Sequence, residues 1–300
     1  MPAGRVHAAQ AARVMRSWLF VPGDSAGKMR RALTSGADAV IFDWEDGVGP
    51  SAKQAARRAT AAALSEAPAG AGPSRWVRIN ALGSAEIDDD LRALPAALID
   101  GVVLPKCCGP RDVEHLGGLL DASERGGTHT TNLGIVGIVT ETAASVLALS
   151  EFRAPIARLR ALMWGAEDLT AELGIASNRD PEGRYGPAFL LARHLALLAA
   201  GACECDAIDT VDTEFRELEG LAAQCRVSRL DGFRAKAAIH PAQIPVINDA
   251  FAPSAAERAW AERVVAALSS GAGVAVVDGR MVDAPHLRLA RRLLSEGTES

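Results

Sequence analysis

The sequence has few aromatic residues, few cysteines and no surplus of basic residues. Only 4% of its 300 residues are aromatic, so a hydrophobic core would consist mainly of alanine, leucine and valine. The five cysteines are an odd number in a chain that begins without an apolar secretory signal, which favours reduced thiols over a disulfide framework. A net charge of −5 without any basic run argues against nucleic acid as a partner.

Long apolar stretches and several common motifs are also missing. No apolar run reaches the ~18 residues that would span a bilayer, so we expect a cytoplasmic protein that does not bind membranes. There is no Walker-type loop, and no Ser-His or Cys-His pattern points to a nucleophile. With 49% hydrophobic and 23% charged residues, the composition is that of a globular domain with a sizeable core.

Eight apolar segments alternate with helical patterns along the chain. The predicted strands are residues 17–21, 39–42, 75–79, 102–104, 133–139, 159–164, 207–209 and 236–239. Eight strand-helix repeats predict an α/β fold, a TIM (β/α)8 barrel. A doubly wound open sheet is the competing architecture, but it predicts a glycine-rich phosphate turn after the first strand, which residues 21–25 lack.

The predicted domain boundaries follow from this element order. Residues 1–15 are expected to form a flexible N-terminal tail, and residues 16–250 the barrel. Residues 251–300 are expected to form a C-terminal extension with a long helix, a β-hairpin around Asp278 and Gly279, and a last helix. The extension is too polar and too separate to be a ninth repeat, so we expect it to cover an active site, either its own or a neighbouring subunit's.

Acidic residues follow several predicted strands at the point where each strand ends. They are Asp43, Glu45 and Asp46 after the second strand, Glu141 after the fifth, Asp168 after the sixth, and Asp209 and Asp212 after the seventh. In a parallel barrel the carboxyl ends of all strands lie at one rim, so these acids are expected to converge. Glu141 and Asp168 predict a Mg²⁺ site, because Mg²⁺ prefers a few carboxylate oxygens and retains water. The alternative is that each of these two acids caps the helix that follows it.

Basic residues follow other strands. Arg78 ends the third strand and is the natural partner for a substrate carboxylate, since a guanidinium binds one bidentately; alternatively it forms salt bridges with the rim acids. Lys106 and Arg16 are weaker candidates of the same kind. His240 is a candidate general acid, or a helix-start residue bonded to the backbone. This set favours chemistry on a 2-oxo or 2-hydroxy acid, in which a metal stabilises an enolate or alkoxide.

Seven ordered motifs carry a family resemblance. They are RSWLFVPG (16–23), FDWEDGV (42–48), VRIN (77–80), LPK (104–106), ETA (141–143), GAEDL (165–169) and IHPAQI (239–244). Across residues 16–290 the chain resembles the citrate lyase β-subunit-like family of the HpcH/HpaI aldolase superfamily, which includes malyl-CoA and citramalyl-CoA lyases.

The resemblance implies a TIM barrel with a Mg²⁺ ion held by Glu141 and Asp168, a CoA thioester as substrate, and a homotrimer or hexamer. It implies that Arg78 grips the carboxylate of a small acid and that Asp43 and Glu45 support the site. Further substrate contacts would come from Arg16, Phe20, Lys106, His240 and Pro241.

The segment GRMVDAP (279–285) resembles the part of these lyases that brings an aspartate over an active site, often a neighbour's. Asp283 is therefore the candidate acid/base, and its alternative role is to cap the helix that starts near Pro285. Three positions beside the expected rim depart from the family pattern and leave substrate identity open: Trp44, the segment Cys107-Cys108-Gly109 after Lys106, and Thr140.

The function expected from all this is Mg²⁺-dependent cleavage or formation of a 3-hydroxyacyl-CoA, with acetyl-CoA and a 2-oxo acid on the other side of the reaction. The alternatives are a malyl-CoA-type thioesterase on the same barrel, and a citrate lyase β subunit that acts on a citryl group carried by an acyl carrier protein.

Overall fold

The computed structural model describes residues 15–68, 72–125, 132–269 and 273–295. The chain divides into two compact units, Met15–Phe251 and the described part of Ala252–Ser300. Apart from Met15, the predicted N-terminal tail lies outside the described residues.

The first unit alternates strands and helices. The strands are β1 Ser17–Pro22, β2 Ala39–Asp43, β3 Ser74–Arg78, β4 Gly101–Leu104, β5 Gly134–Ile138, β6 Leu159–Met163, β7 Asp206–Asp209 and β8 Ala235–Ala238. The α-helices are α1 Ala26–Leu33, α2 Lys53–Glu66, α3 Ile87–Ala93, α4 Pro110–Arg125, α5 Ala143–Ala148, α6 Glu167–Glu172, α7 Pro187–Ala202, α8 Leu218–Asp231 and α9 Ile244–Phe251.

Each strand pairs in parallel with the next, and β8 pairs with β1, so the sheet closes. The predicted (β/α)8 barrel is confirmed, and the open doubly wound sheet is wrong. Closure places all eight carboxyl ends at one rim, which is where active sites of this fold lie.

Several strands, among them β2 and β5, are largely apolar because both of their faces are buried. Every residue of β2 and β5 is buried. Inside the barrel, Trp18 and Trp76 pack with ring centroids 5.1 Å apart, while Ile138 and Met163 lie at the carboxyl ends of β5 and β6. A second, larger cluster fills the layer between the strands and the helices.

A buried ionic cluster joins β7 and β8 to the helices outside them. Lys236 is fully buried, and its Nζ lies 3.0 Å from Asp209 Oδ2. Ser228 of α8 also donates to Asp209 Oδ2, at 2.6 Å, and Arg193 of α7 lies 3.5 Å from Oδ1. Burial alone would raise the pKa of Asp209, but the charges of Lys236 and Arg193 and the hydrogen bonds from Ser228 and Trp164 hold it at about 2.

The second unit is small and has its own apolar core. Helix α10, Ala255–Leu268, packs with strands β9, Val274–Val277, and β10, Arg280–Asp283, and with helix α11, Ala284–Ser295. The two strands are antiparallel. Asp278 and Gly279 have φ angles of 51° and 75°, as a two-residue type I′ turn requires. The hairpin and both helices confirm the elements predicted for this segment.

The Lys236 ion pair predicts a large stability effect. Lys236→Met removes the closest cation from a carboxylate that stays buried, so we expect the free energy of unfolding at pH 7 to fall by about 3 kcal/mol in urea titrations. Lys28→Met, at an exposed position of α1, is the matched control and should change it by less than about 0.5 kcal/mol. Equal stabilities for the two variants would contradict the importance of this cluster.

Candidate active site

A cavity of about 460 Å³ opens at the carboxyl ends of the barrel strands. Its wall carries five carboxylates and one guanidinium, and its other lining is largely apolar. The charged lining residues are Asp43, Asp46, Arg78, Glu141, Glu167 and Asp168. The structure therefore brings most of the predicted rim acids and Arg78 into one space.

Arg78 and Asp43 form a bidentate pair across the ends of β3 and β2. Arg78 Nε and Nη2 donate to Asp43 Oδ1 and Oδ2 at 2.7 and 2.6 Å, and Nη1 lies 2.9 Å from Glu45 Oε2. The side chain of Arg78 is only 13% exposed. Burial would lower its pKa, but Asp43 and Glu45 outweigh burial and raise the pKa above its usual range. The guanidinium is thus a fixed cation at the cavity wall, and the predicted salt bridge to rim acids is present.

The loop after β2 is shaped around Asp43. The backbone N–H groups of Glu45 and Gly47 donate to Asp43 Oδ1 and Oδ2 at 2.9 and 2.8 Å. Lys53 Nζ donates to the carbonyl oxygens of Trp44 and Glu45 at 2.8 and 2.7 Å. Hydrogen bonds to Asp43 and Lys53 therefore hold this loop in place. Glu45 itself is buried.

Lys106 connects this loop to the strand that carries Glu141. Its Nζ binds Glu45 and lies 3.3 Å from Asp46 Oδ2, while its backbone N–H donates to the carboxylate of Glu141. Lys106 has a φ of 51°, in the left-handed region. The residue thus contacts three rim acids, although it does not line the cavity itself.

A threonine holds the ends of β5 and β6 together beyond their ladder. Thr140 Oγ1 donates to Gly165 O and accepts from Gly165 N, both at 2.8 Å. A Cβ on Gly165 would lie 3.0 Å from Glu141 Cγ, so the carboxylate side chain of Glu141 packs directly against this glycine. The segments that carry Glu141 and Asp168 are therefore fixed relative to each other.

Neither Glu141 nor Asp168 caps a helix. Thr142 is the N-cap of α5 and accepts from Ser145 N, while Asp168 lies inside the first turn of α6, after the N-cap residue Ala166. The capping alternative is wrong for both acids, and both side chains line the cavity.

The donor set fits a hard divalent cation. Glu141 is buried, and burial together with the charge of Asp168 raises its pKa to about 8; a cation between two such carboxylates would relieve this cost. No cluster of three or more histidine, cysteine or acidic residues that could hold a metal occurs in the described ranges. Two carboxylates beside an open cavity leave the remaining positions to water or substrate, which is the arrangement Mg²⁺ favours.

A second cavity of about 610 Å³ shares Phe20, Val21, Pro22 and Ile239 with the first. His240 and Pro241 line this second cavity, together with Lys28, Arg31 and other residues. His240 Nδ1 accepts from Ala242 N at 3.1 Å and its ring stacks on Phe215, so the backbone-bonded alternative describes its position. The sequence analysis missed Lys28 and Arg31, which lie three residues apart on the helix after β1.

Arg16 and Asp209 lie away from the predicted rim site, and Asp212 lines a separate cavity beside Glu167. Arg16 precedes β1 at the opposite end of the barrel, and its Nε donates to Asp38 Oδ2 at 2.9 Å, so the structure does not bring Arg16 to the rim. The expectation that Asp209 joins the rim is wrong, because its side chain lies between the strands and helices α7 and α8.

The three departures from the family pattern have packing roles. Trp44 is buried and donates to Thr60 at 2.9 Å, Cys107 is buried beside Gly137, and Thr140 forms the link described above. None of the three lines the cavity among the residues that the structure describes.

Asp283 lies in the second unit, at the end of β10. His286 Nδ1 lies 2.6 Å from Asp283 Oδ1, a neighbour that the sequence analysis did not identify. The side chains are 35% and 41% exposed, so the pair is accessible from solvent in this unit.

Comparison with known proteins decides the family. A family model described as HpcH/HpaI aldolase/citrate lyase matches residues 16–241. The chain belongs to this family. The match spans all eight barrel strands and confirms the relationship predicted from the seven motifs.

Individual family members are similar over nearly their full lengths. A citrate lyase subunit beta-like protein of Mycobacterium tuberculosis is 37% identical, with 94% of this chain and 96% of that protein aligned. A (3S)-malyl-CoA thioesterase of Cereibacter sphaeroides is 35% identical, with 96% of each covered. The crystal structure of M. tuberculosis CitE in complex with magnesium, acetoacetate and coenzyme A has a TM-score of 0.75 and 34% identity, covering 96% of this chain and 100% of that one.

Among the described helices, none combines the length and the apolar character needed to cross a bilayer.

The packing around Asp43 predicts a large loss of stability for a substitution at one nearby glycine and almost none at another. A Cβ on Gly47 would lie 2.3 Å from Asp43 Oδ2, whereas a Cβ on Gly49 would meet nothing within 4 Å. We expect Gly47→Ala to lower the free energy of unfolding by about 1–3 kcal/mol, because it displaces Asp43 from its pair with Arg78. Gly49→Ala is the matched control and should change it by less than about 0.5 kcal/mol. Both values come from urea titrations, and equal stabilities would contradict the tight packing.

Proposed function

We propose that this protein is a cytoplasmic, Mg²⁺-dependent carbon–carbon lyase. It would cleave, or form by condensation, a 3-hydroxyacyl-CoA such as malyl-CoA or citramalyl-CoA, with acetyl-CoA and a 2-oxo acid as the other reactants. The proposal rests on one observation: Glu141, Asp168 and the fixed guanidinium of Arg78 line the same cavity. The CitE relative that binds magnesium, acetoacetate and coenzyme A supports it.

Glu141 and Asp168 would hold the metal ion. When bound, Mg²⁺ would supply a Lewis acid that stabilises negative charge on the oxygens of the hydroxy or oxo acid. The Thr140–Gly165 link joins the backbone segments just before Glu141 and Asp168, so little backbone reorganisation is needed at that point.

Arg78 would orient the free carboxylate of the substrate. Its guanidinium is already held in one position by Asp43, and it lines the cavity. A preorganised cation loses little side-chain entropy when it binds an anion. Asp43 and Glu45 thus act by positioning Arg78, and Lys106 by positioning Glu45 and Glu141.

The second cavity would take the CoA portion of the thioester. It joins the first through Phe20, Pro22 and other shared residues. Lys28 and Arg31 supply positive charge for the phosphate groups, while Phe20 and Pro241 supply apolar surface. The thioester carbon would then lie where the two cavities meet.

Asp283 would be the acid/base, delivered to an active site of its own or a neighbouring subunit in a homotrimer or hexamer. In the cleavage direction its carboxylate accepts the hydroxyl proton, and the C–O bond becomes a carbonyl as the adjacent C–C bond breaks. The electron pair passes to the acetyl-CoA enolate, which is then protonated at carbon. Each step conserves atoms and electrons without any further reactant.

A thioesterase is the second candidate, favoured by the similarity to the C. sphaeroides malyl-CoA thioesterase. In that case the rim acids would activate water for attack on the thioester carbonyl. A citrate lyase β subunit acting on a citryl group of an acyl carrier protein is a third reading, supported by the M. tuberculosis relative.

The decisive experiment identifies the products. We expect purified protein with Mg²⁺ to convert malyl- or citramalyl-CoA to acetyl-CoA and an oxo acid, as measured by mass spectrometry, and a chelator to abolish the reaction. The same assay should also test citryl-CoA and 3-hydroxy-3-methylglutaryl-CoA. Cleavage of the latter would release acetoacetate. Free CoA with intact hydroxy acid would make the protein a thioesterase instead, and no conversion would favour a carrier-protein substrate.

Two substitutions separate metal binding from proton transfer. Glu141→Gln should weaken Mg²⁺ binding at least about tenfold in titration calorimetry, since a ligand charge is lost. Asp283→Asn should leave Mg²⁺ binding unchanged and lower kcat by about 10²- to 10⁴-fold, as expected for a lost acid/base.

The control for Asp283 is Asp278→Asn, in the turn of the same hairpin, where the carboxylate pairs only with the exposed Arg263 in the described structure. This variant should keep kcat within about twofold. Full activity of Asp283→Asn would disprove its role as the base.

A further inference from the structure

The floor of the first cavity is apolar directly below the two predicted metal ligands. Ile138 and Met163 are the last residues of β5 and β6, and they pair in register. Both line the cavity and belong to the barrel-interior cluster, with Phe20 and Val211 packed against it. Glu141 and Asp168 follow these two strands in the chain. A substrate group that points down from these carboxylates into the barrel would therefore meet hydrocarbon.

Among the described residues, no unpaired cationic side chain lines the cavity and could bind a second substrate carboxylate. Five carboxylates line it, and Arg78 is the one cationic lining residue within the described ranges. Arg78 already faces Asp43 and Glu45, and Lys106 outside the lining already binds Glu45 and Asp46. Even with a divalent cation in place, an additional carboxylate at the floor would be repelled and left without a partner.

We propose that Ile138 and Met163 form a methyl pocket, so that the carbinol carbon of the substrate carries a methyl group. The oxo acid released would then be a methyl ketone with a single carboxylate, the class that includes pyruvate and acetoacetate. This inference rests on the proposed lyase function and selects among its substrates. It excludes oxaloacetate, whose extra carboxylate would lie on the apolar floor, and it disfavours glyoxylate, which leaves the floor unfilled.

Three CoA esters form a matched series at the carbinol carbon: malyl-CoA carries hydrogen, citramalyl-CoA a methyl group and citryl-CoA a carboxymethyl group. We expect kcat/KM for citramalyl-CoA to exceed that for malyl-CoA by about tenfold or more, the range that one methyl group gives in an apolar pocket. For citryl-CoA we expect a value at least about a hundredfold lower than for citramalyl-CoA, because a buried charge is left unpaired. Equal values for malyl- and citramalyl-CoA, or efficient cleavage of citryl-CoA, would overturn the inference.

A polar replacement of similar length tests the pocket itself. In Met163→Gln the preference for citramalyl- over malyl-CoA should fall to within about threefold, because the amide removes the apolar contact. Met163→Leu is the matched control and should keep the preference. The preference is the ratio of two kcat/KM values measured on the same variant. A smaller fraction of folded protein lowers both values equally and leaves the ratio unchanged. An unchanged ratio in Met163→Gln would overturn the assignment.

A binding measurement separates this inference from the lyase proposal. Glycolate, lactate and malate reproduce the same three substituents in stable 2-hydroxy acids, and titration calorimetry in the presence of Mg²⁺ needs no turnover. We expect the tighter enantiomer of lactate to bind several-fold more tightly than glycolate and more tightly than either enantiomer of malate.

The outcomes are distinct. If lactate binds most tightly but no ester is cleaved, the lyase proposal fails and the methyl pocket stands. If esters are cleaved with malyl-CoA preferred, the lyase stands and the methyl pocket fails. Glycolate or malate binding as tightly as lactate would overturn the pocket whatever the reaction.

Discussion

Six carboxylates meet near one end of the barrel, and their mutual repulsion must be balanced for the chain to fold. Three lie at the end of β2 and in the loop after it, one follows β5, and two lie in the first turn of α6. Arg78 and Lys106 balance the first group by direct pairing, and backbone N–H groups fix Asp43. No side-chain cation pairs directly with Glu141 or Asp168 in the described structure, and burial together with the charge of Asp168 raises the pKa of Glu141. The negative charge of these two carboxylates is therefore left for a metal ion to neutralise.

Much of this arrangement could be predicted from the sequence. Apolar runs bounded by glycine and polar residues gave the eight strands, and parallel pairing then required their ends to share a rim. The positions of Glu141, Asp168 and Arg78 followed, because each lies at the end of such a run or within a few residues after it. The hairpin of the second unit was equally clear from Asp278 and Gly279.

What the sequence could not give was the direction of individual side chains. Asp209 also ends an apolar strand, but it turns outward because Arg193 and Ser228 reach it from helices that lie next to it only in the folded chain. Arg16 stands at the start of its strand, so it belongs to the far end of the barrel, and Asp38 at the start of β2 neutralises it there. Lys28 and Arg31 could not be predicted as a pair, because the cavity that they line forms only in the folded chain.

The Thr140–Gly165 link has a consequence for motion at the rim. One hydroxyl both donates to and accepts from the same glycine, so β5 and β6 remain joined one step beyond their regular ladder. Any opening of the segment that follows β6 must therefore hinge after Gly165 rather than before it. The rim can then admit and release a large thioester by moving the chain beyond α6, while Glu141, Asp168 and the backbone joining the two strands stay in place.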